Sequence, residues 1–151
     1  MDKTEQIVLT NMCMVYRGNE ILVQNRLNPG WPGIACPGGH VEMNESFTES
    51  VIREIKEETG LDITDVHLCG IKQFSRKNER YRYIVLLYKT DKFSGTLRSS
   101  EEGEVFWTTR EALKEMKLAD GFEEMLRVMT DDTLSEVYLL KDGENRIGRM
   151  L

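Results

Sequence analysis

The chain has 151 residues, of which 40% are hydrophobic, enough for the core of one compact domain. Its net charge of −6 argues against a broad basic face that would bind long nucleic acid. No apolar run approaches the roughly 18 residues of a membrane span, and the N-terminal stretch lacks a signal-peptide pattern. We therefore expect a single cytoplasmic domain over residues 1–151, with no membrane segment.

The three cysteines, Cys13, Cys36 and Cys69, are far apart and odd in number. This pattern favours reduced thiols over a disulfide framework or a zinc site. Each cysteine has apolar neighbours in the sequence, so we expect all three in the core.

The N-terminal segment predicts two strands and a loop. Residues 5–16 are rich in apolar and β-branched types, a turn follows at Gly18-Asn19, and residues 20–24 continue as a second strand. Turn-forming residues mark 28–39 as a loop around a short strand at 34–36.

A helix is predicted after this loop. Ser46 and Glu49 have the spacing of a capping box, and Gly60 is typical of the left-handed residue that follows a last helical turn. The core face of this helix is expected at Val51, Ile52 and Ile55.

The rest of the chain predicts further strands and one helix. Strands are expected at about 62–75, 80–90 and 104–109, and a helix at about 120–129. The C-terminal tail is either a hairpin about Asp142-Gly143 or an ordered extension. Intermixed strands and helices indicate an α/β or α+β class, with helices on a mixed sheet.

Three glutamates crowd the last turns of the first predicted helix. Glu54, Glu57 and Glu58 fall within an arc of about 100°. Glu54 and Glu58 repel each other by roughly 0.2–0.5 kcal/mol, and negative charge is unfavourable in a last helical turn. The simple alternative is a solvated charged face, partly compensated by Arg53, which is four residues from both Glu49 and Glu57.

The loop before the helix favours a metal site over that alternative. The glycines of Pro37-Gly38-Gly39 allow the backbone to approach a ligand closely. A loop carbonyl with two or three carboxylates is a hard oxygen donor set, which suits Mg²⁺ or Mn²⁺ rather than zinc. His40 is not required as a ligand and is interpreted as a loop residue.

The same residues form a known family pattern, G-x5-E-x7-R-E-U-x-E-E-x-G-U, in which U is aliphatic. Every defined position is matched over residues 39–61, by Gly39, Glu45, Arg53, Glu54, Ile55, Glu57, Glu58, Gly60 and Leu61. The chain therefore resembles the Nudix hydrolases.

The resemblance implies a Nudix fold, which is an α/β/α sandwich with a mixed sheet. It implies hydrolysis of a nucleoside diphosphate linked to a further group, with Glu54, Glu57 and Glu58 as catalytic residues. The expected cofactor is Mg²⁺, for which Mn²⁺ can substitute, bound by these glutamates and the Gly39 carbonyl. Arg53 and Glu45 match positions that brace the loop against the helix, and Arg53 is counted with the catalytic group.

Within the family, the compact length and the stretch SSEEGEVFW resemble the MutT-type 8-oxo-dGTP diphosphatases. Such enzymes cleave between the α- and β-phosphates and release a nucleoside monophosphate and pyrophosphate, which cleanses the nucleotide pool and so serves DNA repair. The open alternatives are another Nudix substrate (ADP-ribose, a dinucleoside polyphosphate or an RNA 5′ end) and a nucleotide-binding module without catalysis. The intact pattern counts against the last alternative.

The resemblance also predicts residues around the phosphates. Arg26 matches a phosphate-contacting region, with a surface ion pair as the alternative, and Gly38 joins Gly39 in binding the substrate. Glu54 is one candidate for the general base. The other candidates belong to a later acidic loop, which is otherwise a solvated turn: Glu101 and Glu102, both also candidate metal ligands, and Glu104.

Asp120 is predicted to read the base, because a carboxylate accepts from both N1–H and N2–H₂ of guanine or 8-oxoguanine. Its alternative role is a helix N-cap, since Glu123 follows three residues later. Trp31 and Phe74 are candidates either for stacking on the base or for the core. The expected partner is a small nucleotide, and the sequence leaves the oligomeric state open, a homodimer included.

Overall fold

The computed structural model describes all 151 residues. The strands are β1 (Gln6–Arg17), β2 (Glu20–Arg26), β3 (Gly33–Ala35), β4 (Gly38–His40), β5 (Leu61–Thr64), β6 (His67–Arg76), β7 (Tyr81–Thr90), β8 (Lys92–Gly95), β9 (Gly103–Thr109), β10 (Glu136–Asp142) and β11 (Asn145–Met150). The helices are α1 (Phe47–Thr59), α2 (Arg110–Leu113) and α3 (Phe122–Thr130).

Nine strands form one mixed sheet. Seven of them follow the order β11-β10-β6-β7-β1-β2-β3, while β4 pairs with β1 and β9 pairs with β2. The β1–β7 and β6–β10 pairs are parallel, and the other pairs are antiparallel. Strands β5 and β8 form a separate antiparallel pair. The predicted mixed sheet is confirmed.

Strand β1 is buried on both faces, which places a core on each side of the sheet. Met12 and Met14 belong to the larger core, which also contains the buried face of α3. Cys13 and Val15 point the other way, into a core shared with the buried face of α1. Because successive side chains alternate between faces, a continuous apolar run is what a strand covered on both sides requires. The predicted α/β/α arrangement is confirmed.

Helix α1 has both of its predicted ends. The Ser46 hydroxyl accepts a hydrogen bond from the Glu49 N–H at 3.0 Å, which satisfies a donor of the first turn. Gly60 follows the helix with φ 79°, and its N–H bonds to the Lys56 carbonyl. A Cβ at Gly60 would lie 2.5 Å from the Thr96 carbonyl oxygen, so glycine is needed there on two counts.

Several elements differ from the sequence prediction. The strand expected at 62–75 is two strands. Asp65 adopts φ 50° and interrupts the extended backbone between β5 and β6. Strands β4 and β8 and the short helix α2 were not predicted. The tail forms a hairpin, β10–β11, about Asp142 and Gly143, which settles the alternative left open.

The start of α3 corrects another expectation. Its N-cap is Gly121, in a left-handed conformation and without a side-chain cap. The Asp120 N-cap alternative is therefore wrong, because the positive φ of 82° at Gly121 places Asp120 outside the cap position. None of the helices combines the length and hydropathy that a membrane span needs.

All three cysteines are free thiols. Cys13 and Cys36 are fully buried, and burial raises the pKa of both thiols. Cys69 is only partly buried and packs against the larger core.

Candidate active site

A cleft of about 720 Å³ is lined by residues from β1, β2, β6, β7, β10 and α1. Trp31 and Phe74 line it and also pack against the larger core, so stacking on a base and a core role are compatible. The predicted site residues that line this cleft are Arg26, Gly38, Gly39, Glu54, Glu57, Glu58, Glu102 and Asp120.

Helix α1 presents its three glutamates to the cleft. Glu54 and Glu58 are buried, each with 9% relative exposure, whereas the Glu57 side chain is 56% exposed. Burial raises the pKa of the Glu54 carboxyl, the charges of Glu57 and Glu58 add to this effect, and Arg53 opposes it. The Glu54 carboxylate is thus partly desolvated and close to like charges, an arrangement that a cation would stabilise.

Arg53 connects this helix to the glycine loop. Its Nε and Nη2 donate to the Glu45 carboxylate at 2.6 and 2.9 Å, and Nη2 also donates to the His40 carbonyl at 3.0 Å. Its Nη1 donates to Glu54 at 2.8 Å and to Glu57 at 3.2 Å. The hydrogen bond from Arg53 is the main reason that the pKa of Glu45 falls to about 2. Arg53 and Glu45 lie behind the cleft wall rather than on it.

Glu58 is held by two residues that the sequence reasoning missed. Gln24 Nε2 donates to its carboxylate at 2.9 Å, and Ser100 Oγ donates to the same oxygen at 2.7 Å. Gln24 is fully buried on β2. Its signal in the sequence is a single amide after the apolar run ILV, inside a predicted strand.

A third missed residue, Asn11, holds the glycine loop. Its Oδ1 accepts from the Gly39 N–H at 3.2 Å, and its Nδ2 donates to Ser50 Oγ of α1 at 2.8 Å. Strand β4 also pairs with β1 beside this contact. A Cβ at Gly39 would lie 2.2 Å from the Glu54 carboxyl carbon, so only glycine lets the loop backbone approach that carboxylate.

The donors around Gly39 fit a hard divalent cation in their chemistry. The predicted donors, three carboxylates and a loop carbonyl, are all oxygens. The acidic side chains do not converge on one point as a preformed metal cluster. Arg53 instead binds Glu54 and Glu57, and Gln24 and Ser100 bind Glu58.

Arg26 lies on the cleft and fixes the loop that follows β2. Its Nε donates to the Trp31 carbonyl at 3.1 Å, and its guanidinium carbon lies 4.8 Å from the Trp31 ring centroid. Arg26 takes part in none of the ion pairs of the structure. The surface ion-pair alternative is therefore wrong for this residue.

The three candidate glutamates of the acidic loop differ in their position relative to the cleft. All three glutamates are exposed and make no ion pair, but only Glu102 lines the cleft. The loop is positioned by the Leu27 N–H, which donates to the Glu102 carbonyl at 3.2 Å.

Asp120 lies beside Trp31 and a missed residue, Lys72. The Trp31 indole N–H donates to the Asp120 carbonyl at 2.8 Å, and the Asp120 carboxylate lies 3.3 Å from Arg146 Nε. Lys72 Nζ lies 5.0 Å from the Trp31 ring centroid. One cleft thus contains an acidic group on α1 and a mixed aromatic and charged group around Asp120.

Residues 8–129 match the family model of the NUDIX domain. Because this match covers most of the chain, the protein belongs to the Nudix hydrolase family, as the pattern at 39–61 predicted. Divalent cations are the general cofactors of these hydrolases.

The chain is 29% identical over 121 residues to the uncharacterised Nudix hydrolase YvcI of Bacillus subtilis, covering 78% of this chain and 75% of that protein. It is 34% identical over 90 residues to the ADP-ribose pyrophosphatase of Methanocaldococcus jannaschii, covering 59% of this chain and 53% of that protein. The crystal structure of a MutT protein from Bacillus halodurans matches with a TM-score of 0.78 at 24% identity, covering 95% of this chain and 97% of the other. The family-model match establishes the family and the structural likeness supports the fold, but neither identifies the substrate.

Proposed function

We propose that this protein is a metal-dependent nucleoside triphosphate pyrophosphohydrolase that prefers 8-oxo-dGTP and releases a nucleoside monophosphate and pyrophosphate. The observation that carries this proposal is the common cleft. Three carboxylates beside a glycine loop line the same cleft as Asp120 and Trp31. The cleft volume of about 720 Å³ falls within the range of small-molecule sites, about 300–1,000 Å³. All of these residues come from one chain.

The proposed cofactor is Mg²⁺, with Mn²⁺ as a substitute, held by Glu54, Glu57, Glu58 and the Gly39 carbonyl. When bound, the cation neutralises phosphate charge and lowers the pKa of a water that attacks phosphorus. The chain itself orients these donors, since Arg53 and Asn11 fix the helix and the loop relative to each other.

Two further roles follow from the positions of charged residues. The Arg26 guanidinium lines the cleft without a carboxylate partner, so it is suited to contact the phosphates. Glu102 is the better candidate for the general base, because its carboxylate makes no ion pair, whereas Glu54 accepts a hydrogen bond from Arg53. Free thiols are consistent with the reducing cytoplasm in which we place this reaction.

A second candidate substrate is ADP-ribose, because the archaeal relative is an ADP-ribose pyrophosphatase. The acidic helix face would serve either substrate, since both contain a pyrophosphate bond. The choice therefore depends on the base and on the group attached to the second phosphate.

A substrate panel tests the proposal. 8-oxo-dGTP, dGTP and ADP-ribose are compared by kcat/KM with Mg²⁺, and pyrophosphate release is measured separately from phosphate release. We expect the highest kcat/KM for 8-oxo-dGTP, with pyrophosphate as product, and a loss of more than about 100-fold in Glu57→Gln. Glu111→Gln on α2, which lies away from the cleft, is the matched control and should retain full activity.

Two outcomes would overturn the proposal. A kcat/KM for ADP-ribose above that of both guanine nucleotides would assign the second substrate. Nucleotide binding with no hydrolysis under any divalent cation would instead assign a binding module.

A further inference from the structure

Lys72 is a charged residue between two valines of the sheet. On β6 it pairs with Val85 of β7 and with Val137 of β10, and both valines belong to the larger core. Lys72 has only 8% relative exposure, and its ammonium group makes none of the side-chain hydrogen bonds or ion pairs of the structure. A largely buried ammonium side chain without a hydrogen-bond partner is costly, and its place on the cleft lining gives it access to a ligand that can accept from it.

The surroundings of Lys72 indicate which chemical groups a ligand would need in order to bind there. The residue lines the cleft with Trp31 and Asp120, and its Nζ lies 5.0 Å from the Trp31 ring centroid. Burial lowers the pKa of Lys72 to about 8, while Asp120 and Glu124 favour the charged form and Arg146 opposes it. Lys72 thus provides donors beside a carboxylate acceptor, next to an aromatic face.

The Asp120 carboxylate has a cationic partner on the C-terminal hairpin. Arg146 of β11 lies 3.3 Å from the Asp120 carboxylate and donates to Glu124 at 3.0 Å. The ion-pair partner of Asp120 is therefore Arg146 of the hairpin, and no ion pair joins Asp120 to Lys72. Both groups retain hydrogen-bonding capacity for a molecule in the cleft.

We propose that Lys72 is a specificity-determining residue that donates a hydrogen bond to the O6 carbonyl of a 6-oxopurine, while Asp120 accepts from N1–H and N2–H₂. This inference rests on the proposed function, and it names the substrate class as guanine-type nucleotides. Adenine presents an amino donor in place of O6, which the ammonium group cannot pair with. Sites built to bond a polar group discriminate strongly, because the wrong ligand leaves buried groups unpaired.

The test compares two substrates that differ at position 6 of the base and, as a consequence, at N1, which carries hydrogen only in the 6-oxopurine. dGTP carries the O6 carbonyl, whereas 2,6-diaminopurine deoxyribonucleoside triphosphate keeps the 2-amino group and has an amino group at position 6. We expect the wild-type protein to favour dGTP in kcat/KM by about 10- to 100-fold, the value of a hydrogen bond to a charged group. In Lys72→Met this ratio should fall several-fold but stay above one, because Asp120 still accepts from N1–H, and Lys72→Arg, which keeps a cationic donor, should restore part of the loss.

A metal-free binding measurement separates this inference from the proposed hydrolysis. Dissociation constants of dGMP and of the diaminopurine monophosphate are measured by tryptophan fluorescence, for the wild type and for Lys72→Met. A preference for dGMP that is several-fold smaller in Lys72→Met than in the wild type supports the inference, even if no triphosphate is hydrolysed. An unchanged preference in a folded Lys72→Met protein, or no preference in the wild type, overturns it whether or not the enzyme turns over nucleotides.

Discussion

At the scale of single residues, Arg53 shows how one side chain organises the acidic group. It forms hydrogen bonds with Glu45 and the His40 carbonyl on the loop side and with Glu54 and Glu57 on its own helix. A guanidinium group has five N–H donors in a fixed plane, so it can satisfy several acceptors at once. A lysine at this position would lose that geometry, although it would keep the charge.

The Arg53–Glu45 pair predicts a dependence of stability on pH. The pKa of Glu45 is lowered to about 2 in the folded protein, chiefly by the Arg53 hydrogen bond. A lowered folded-state pKa stabilises the protein above the unfolded-state pKa of about 4.5, and this stabilisation is lost as the pH falls towards 2. We therefore expect Glu45→Gln to be less stable than the wild type at pH 7, with a difference that narrows below about pH 4.5.

Urea unfolding between pH 7 and pH 3 measures this difference. The same substitution in an Arg53→Ala background is the control, because the partner that lowers the pKa is then absent. A difference in the free energy of unfolding between the wild type and Glu45→Gln that stays constant with pH would contradict the prediction.

At the scale of elements, prediction succeeded where the signals are local. Helix α1 was located from Ser46, Glu49 and Gly60, since caps act within one turn of the helix end. The break between β5 and β6 was missed because a non-glycine residue, Asp65, takes the positive φ. The start of α3 was misplaced because Asp120 and Gly121 are both acceptable cap residues, and tertiary contacts of Asp120 decide between them.

The C-terminal hairpin lies beyond the residues 8–129 that match the family, but we propose that it belongs to the same cooperative unit. Val137 and Leu139 of β10 are buried in the larger core. We expect Leu139→Ala to lower the free energy of unfolding by about 2–4 kcal/mol, because it removes buried methyl groups and leaves a cavity. Ile147→Ala, at an exposed position of β11, should cost less than about 1 kcal/mol.

Urea denaturation followed by circular dichroism measures both variants. A loss below about 1 kcal/mol for Leu139→Ala, accompanied by a separate early transition, would show instead that the hairpin unfolds independently.

At the scale of the whole molecule, the candidate site depends on pairings between distant segments. Strand β1 pairs in parallel with β7, and β6 pairs in parallel with β10, which brings Lys72 next to Val137. Local patterns carry no information on such pairings, so Lys72, Gln24 and Asn11 could not be assigned to the site beforehand. The residues at 39–61 could be assigned because their spacing alone places the carboxylates on one helix face and the glycine before it.

The crowded carboxylates predict that a divalent cation stabilises the entire fold. A ligand that binds only the folded state adds about 2.7 kcal/mol at a concentration one hundred times its Kd, which raises the Tm of a chain of this size by about 5–10 °C. We expect Mn²⁺ to give this rise in the wild type and in the control Glu111→Gln, and little or none in Glu57→Gln. Without metal, the free energy of unfolding of Glu57→Gln should differ from that of the wild type by only about 0.5 kcal/mol, because the Glu57 side chain is 56% exposed and its Arg53 contact is weakened by solvent.

Calorimetric titration gives the Kd for each protein, and scanning calorimetry gives the Tm. An equal Mn²⁺-dependent rise in Glu57→Gln would place the cation elsewhere, since an interaction that survives the loss of this carboxylate cannot depend on it.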